Sequence, residues 1–167
     1  MAKKFEDLFP RLQGSAWQIT SPPSDVYNCI AWAVGDTTAC WWPDPDGTHW
    51  PDGIPLEETV AAFRAAFATL GYVVCGTAEP EAGFDKIALF ADAQGVPKHA
   101  ARQLSSGRWS SKLGLLEDIE HGLADLEGVE YGTVVLLMKR PVPSAASGKS
   151  APREESAAPK EKGAGGV

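Results

Sequence analysis

Cys29, His99 and Ser111 are the residues of this 167-residue chain whose types and spacing could do chemistry. A cysteine that opens a helix meets the positive end of the helix dipole and several unpaired backbone N–H groups, and both favour its thiolate. An imidazole held on a strand could take the thiol proton, and a third polar group could orient that imidazole through its other ring nitrogen. Such a trio attacks an amide or ester carbonyl, provided that N–H donors cradle the oxyanion. The backbone N–H of Cys29 and the side chain of Asn28 are the donors nearest in sequence.

The elements that must position these groups can be read along the chain. Ser21-Pro22-Pro23-Ser24-Asp25 breaks regular structure, and Ser24 or Asp25 is a candidate N-cap for a helix carrying Cys29 and ending near Gly35-Asp36. Residues 40–55 are dense in proline, glycine and tryptophan, which predicts a long loop. Leu56, Val60, Phe63, Phe67 and Leu70 recur at helical spacing, with Gly71 as the stop. Short strands are expected at Tyr72–Cys75, Asp85–Ala91, Lys98–Leu104, Arg108–Leu113 and Thr133–Met138. Leu116, Ile119, Leu123 and Leu126 share one face of a helix predicted over 115–126, on which His121 would be solvated.

The turn after His99 decides its partner. If Ser105-Ser106-Gly107 is a three-residue loop, Leu104 pairs with Arg108, Ala101 pairs with Ser111, and Ser111 shares the face of His99. A two-residue loop favours Ser110 or Lys112 instead, although a lysine is a donor only and cannot accept an imidazole N–H. Ser111 is the choice. Trp41, Trp42 and Trp50 follow the cysteine helix directly, so together with Tyr27 they could wall a substrate groove, or equally plug the core.

Tyr27-Asn28-Cys29-Ile30-Ala31-Trp32 resembles the nucleophile motif of the NlpC-type papain-like cysteine hydrolases, where an aromatic residue and an Asp or Asn precede the cysteine. Asp85–Phe90 followed by Lys98-His99-Ala100-Ala101 is similar to the family's apolar strand and histidine strand, and Ser111 falls where its third polar residue stands. The NCIAWA and HAARQL blocks also resemble a small uncharacterised bacterial family. The resemblance implies a papain-like α+β fold, N-terminal helices packed on a small antiparallel sheet, with cysteine hydrolase or acyltransferase (amidase or peptidase) chemistry. Ile30-Ala31 replaces the family's usual Ser-Gly, and serine replaces its His, Asp or Asn; both departures favour the alternative of an inactive module gripping a peptide or protein through the tryptophan loop.

Composition narrows the rest. The net charge is −7 with +1 in the tail from Val142, so the remainder carries −8, against a phosphate-contacting nucleic-acid binder. Three cysteines without CxxC spacing, Cys29, Cys40 and Cys75, make neither a disulfide framework nor a zinc site, and no metal or organic cofactor is expected. No signal peptide or membrane span is evident, which leads to a cytoplasmic assignment without membrane partners. The expected organisation is an arm at 1–24, a domain at 25–141 and a disordered tail at 142–167. The sequence leaves the oligomeric state open.

Overall fold

The computed structural model describes residues 2–142, and the tail assigned from Val142 lies outside the described residues from position 143. The fold is α+β. Its elements are α1 (Ala2–Leu8), β1 (Gln18–Ser21), α2 (Cys29–Ala33), α3 (Val60–Ala68), β2 (Val73–Val74), β3 (Phe84–Ala91), β4 (Pro97–Gln103), β5 (Trp109–Lys112), β6 (Asp118–His121) and β7 (Thr133–Pro141). Seven strands make one antiparallel sheet in the order β1-β6-β5-β4-β3-β7-β2.

β3 lies inside this sheet between β4 and β7, and its continuous apolar stretch Ile87–Ala91 is buried, as befits a strand covered on both faces. Alternation divides its side chains between two clusters. Ile87 and Leu89 join Ala100 and Met138 in the cluster that also holds Cys29, Ile30, Phe63 and Phe67. Ala88 and Phe90 join Ala101, Trp109 and Ile119 with Phe5, Phe9 and Leu12 from the N-terminus. The two sides of β4 therefore face different cores.

Three expectations are corrected. Residues 115–126 are not a helix: Asp118–His121 is strand β6, paired with both β1 and β5, and only Leu123–Leu126 is helical, as a 3-10 turn. The apolar spacing there fits period 3.6, but Gly114 turns at φ +60° and Gly122 follows β6 directly, so neither lies inside a helix. The first 24 residues are not an irregular arm, because α1 and a 3-10 turn at Pro10–Leu12 lead into β1, an edge strand of the sheet. Finally, α3 starts at Val60 rather than Leu56. Thr59 is its N-cap, accepting the Ala62 N–H at 3.1 Å, which leaves Glu57 and Glu58 outside the helix.

Residues 40–55 contain no helix or strand, only a bridge between Trp41 and His49. Their indoles are tied inward. Trp41 Nε1 donates to Asp36 at 2.8 Å and Trp50 Nε1 to the Pro55 carbonyl at 3.0 Å, and both rings are buried with Phe63. Trp42 packs edge-on against Phe63 and bonds Glu58 at 3.1 Å. Of the two roles open to this loop, Trp41 and Trp50 fill the core.

Candidate active site

Asn28, not Ser24 or Asp25, caps α2. Its Oδ1 accepts the N–H groups of Ala31 at 3.1 Å and Trp41 at 3.0 Å, while Nδ2 donates to the Trp41 carbonyl at 2.8 Å. The side chain expected to cradle an oxyanion is thus committed to stapling the tryptophan loop onto the start of the helix. Cys29 is the next residue, on the first turn, and is 9% exposed. Its sulfur faces the backbone N–H groups of Ala100, Ile30 and Cys29 itself, and the ammonium of Lys112 lies in the same surroundings. Those donors favour the thiolate, but burial outweighs them and pushes the thiol up to about 11. At rest Cys29 is a neutral thiol. Cys40 and Cys75 are less buried, and each points its sulfur at a backbone carbonyl.

β4 and β5 are in register at Arg102↔Ser110 and Gln103↔Trp109, and the Leu104 N–H donates to the Arg108 carbonyl at 2.7 Å. Continuing that register sets Ser111 opposite Ala101, on the His99 side. His99 Nε2 lies 2.8 Å from Ser111 Oγ, and Ser111 Oγ lies 2.7 Å from His121 Nε2. His121 Nδ1 is 2.7 Å from the Gly122 carbonyl.

One end of this chain fixes every proton in it. A carbonyl can only accept, so His121 carries its proton on Nδ1 and its Nε2 is an acceptor. The Ser111 hydroxyl then donates to His121 and accepts from His99 Nε2–H. His99 is left with a bare lone pair on Nδ1, and that nitrogen is buried without a hydrogen-bond partner. The ring is held face-on by Tyr131, with centroids 4.0 Å apart and planes at 3°, and edge-on by Phe90.

Cys29 stands on α2 and His99 on β4, and the two side chains make no hydrogen bond with each other. Ala100 packs in the cluster of Cys29, whereas His99 stacks with Phe90 and Tyr131 beside Ala101. What joins them is the peptide group from His99 to Ala100, whose N–H faces the sulfur, and Tyr131. That phenol is raised by burial first and by the Cys29 charge second, and its ring stacks on His99.

Sequence reasoning missed His121, Tyr131 and Asp118. Tyr27, proposed to line the substrate, donates its hydroxyl to Asp118 at 3.0 Å and stacks on Trp32. Lys112 is buried, with Nζ spent on the carbonyls of Gly114 at 2.7 Å and Leu116 at 2.6 Å. The signal for His121 was available in Asp118-Ile119-Glu120-His121, where Ile119 and His121 alternate as in a strand.

Burial lowers the pKa of both histidines, that of His99 well below 6.5 with the His121 charge adding to the effect, and that of His121 to about 4. The unfolded chain, with histidines near about 6.5, therefore binds more protons than the folded one at mildly acid pH. Stability is complete above about pH 6.5 and falls as pH drops toward about 4, with a slope reaching about 1.4 kcal/mol per pH unit for each histidine. Urea midpoints across this window check the prediction, and a His121→Gln variant should flatten the slope. A wild-type curve that is flat from neutrality to pH 4.5 contradicts it. The Asp36 carboxylate, held down chiefly by the Thr38 hydroxyl and then by Trp41, acts at lower pH.

Among the described residues no group of three His, Cys, Asp or Glu side chains converges to hold a metal, and no helix is long and apolar enough to cross a membrane. One seven-stranded antiparallel sheet, with a helix-start cysteine packed beside its fourth strand and a buried His-Ser-His chain that starts on that strand, defines the class. The chain belongs to the family described as "Domain of unknown function (DUF7689)", whose profile matches residues 18–139. No curated protein and no solved structure matches it.

Proposed function

We propose that the chain is a papain-like cysteine hydrolase or acyltransferase, with Cys29 as nucleophile, His99 as general base and Ser111 orienting it. The observation that carries this reading is the unpartnered Nδ1 of His99. A buried histidine that serves packing alone ends up bonded at both nitrogens, whereas here three residues in series spend their protons so as to leave one lone pair free. The Cys29 thiol and His99 Nδ1, which make no hydrogen bond with each other at rest, must first come within hydrogen-bond reach; the Cys29 sulfur then bonds to the carbonyl carbon as its proton passes to His99 Nδ1. The carbon–nitrogen or carbon–oxygen bond then breaks and the imidazolium returns the proton to the leaving amine or alkoxide. Water, or another acceptor, gives up a proton to His99 and attacks the thioester, the carbon–sulfur bond breaks, and the imidazolium returns the proton to the departing Cys29 sulfur. The backbone N–H groups of Cys29, Ile30 and Ala100 take the oxyanion role in place of Asn28. Because the thiol is neutral at rest, proton transfer accompanies attack, and the substrate is an amide, peptide or ester whose entry excludes water.

A second reading has its own support. The raised thiol and the fully buried His99 ring favour a non-catalytic module on the same fold that recognises a peptide or protein. With Trp41 and Trp50 in the core, Trp42 is the residue of the tryptophan loop left to make such a contact.

Incubation with p-nitrophenyl acetate followed by intact-mass analysis separates the two. An active site gives one acetyl group on Cys29, absent in Cys29→Ala and slowed about a hundredfold or more in His99→Ala. Acetylation confined to Cys40 and Cys75, or unchanged by His99→Ala, selects the non-catalytic reading.

A further inference from the structure

A second constellation lies on the Cys29 side of the sheet, at the far end of α2. Arg102 of β4, Asp85 of β3 and Arg140 of β7 face a cavity of about 210 Å³ whose wall includes Tyr72 and the helix end at Ala33–Gly35. Register explains the grouping: Asp85 pairs with Arg140, and Arg102 stands opposite Ile87, two residues further along β3, so the three charges share one face of neighbouring strands on a diagonal. Lys86, the next residue on β3, turns its Nζ away to the carbonyls of Thr77 and Glu79.

The two guanidiniums are unequal. Arg140 has protein neighbours: its Nη1 donates to the Leu70 carbonyl at 3.4 Å and its plane covers Tyr72 at 4.6 Å, while its buried Nε, 3.7 Å from Asp85 Oδ2, has no hydrogen bond. Arg102 makes no hydrogen bond or ion pair among the described residues. Its guanidinium stacks on the Trp32 ring at 3.9 Å, and Nη1 approaches Gly35 at the carbonyl end of α2. Arg102 is half-buried, and its fork of donors lines the cavity with no protein acceptor among the described residues, open to a ligand that supplies one. Charge completes the match, because Asp85 offsets Arg140 and Glu81, 3.4 Å from Lys86 Nζ, offsets that lysine, which leaves one net positive charge.

We propose that this cavity binds a singly charged carboxylate, that of a small organic acid or a peptide C-terminus, bidentate on Arg102 with Arg140 as the second contact. Ala33, Val34 and Leu104 supply apolar wall for the group that bears it. A phosphate dianion would exceed the available charge and fits less well. The site rests on nothing assigned to Cys29.

Titration of the full chain with N-acetylglycine, followed by the arginine Nε–Hε resonances, tests the proposal. The expected result is saturable 1:1 binding in the millimolar range that shifts Arg102 most. Arg102→Gln should weaken it about tenfold, whereas Arg64→Gln on α3, away from this cavity, and Cys29→Ala should leave it unchanged. Where Arg102→Gln fails to fold for want of the Trp32 stack, Arg102→Lys keeps the charge but not the fork and should bind roughly threefold more weakly. No saturable shift, equal affinity in the Arg102 variants, or tighter binding of inorganic phosphate overturns the assignment.

Discussion

Gly132→Ala is expected to lower folding stability by about 3–5 kcal/mol, combining left-handed backbone strain with overpacking against main chain. Gly132 has φ +75°, and a Cβ there would fall inside the Ala91 carbonyl and 2.9 Å from Asp92 Cα. None of these is the yielding end of a flexible side chain, so β3 and β7 would have to part. Gly128 makes the control. It exchanges backbone hydrogen bonds with Gly132 at 3.0 and 2.8 Å and also has positive φ, yet nothing lies within 4 Å of its built Cβ. Strain alone should cost Gly128→Ala about 1–2 kcal/mol. Urea midpoints of the two variants read the difference directly, and equal losses would show that the Ala91 contact is relieved cheaply. The consequence reaches the site, because Tyr131 adjoins Gly132 and covers the His99 ring.

The sheet core was legible because its physics is local. Asp85–Ala91 is apolar enough to read as a covered strand, and Ser105-Ser106-Gly107 sets the register that brings Ser111 to His99. Thr59 shows where legibility ends. Leu56 fits the helical period, but Pro55 precedes it and the threonine hydroxyl captures the Ala62 N–H, so capping chemistry overrides periodicity. The β6 segment failed for a different reason. Ile119 is shared by a helical pattern with Leu116 and Leu123 and by an alternating pattern with His121, and only pairing with β1 and β5 decides between them. Such pairing is non-local: Gln18 meets Glu120 across a hundred residues, which no reading of either segment alone contains.

The same non-locality hid half of the polar chain at the candidate site. Serine accepted as an orienting group looks weak when considered by itself, since a hydroxyl carries no charge to stabilise an imidazolium. Its strength here is borrowed. His121, fixed by the Gly122 carbonyl, takes the hydroxyl proton and so turns Ser111 into a committed acceptor for His99. Under the proposed chemistry, serine together with a second histidine does the orienting that a carboxylate would do alone.

Ser111→Ala should expose that dependence. It leaves His99 Nε2–H without an acceptor and His121 Nε2 without a donor, in a site where all three side chains are buried. Two unsatisfied groups cost about 2–4 kcal/mol together, more than the net worth of the hydrogen bonds removed, because neither ring can reach water. If the proposed chemistry holds, acetylation of Cys29 should also fall about a hundredfold, since His99 is then free to adopt the other tautomer and cover its reactive nitrogen with a proton. Ser111→Thr keeps the hydroxyl and adds one methyl, so it should retain most of the rate while losing about 1–2 kcal/mol to overpacking. A rate that follows the hydroxyl while stability follows the added volume would mark Ser111 as a positioning residue. Rate and stability falling in parallel through both variants would mean that the chain of hydrogen bonds serves the core alone.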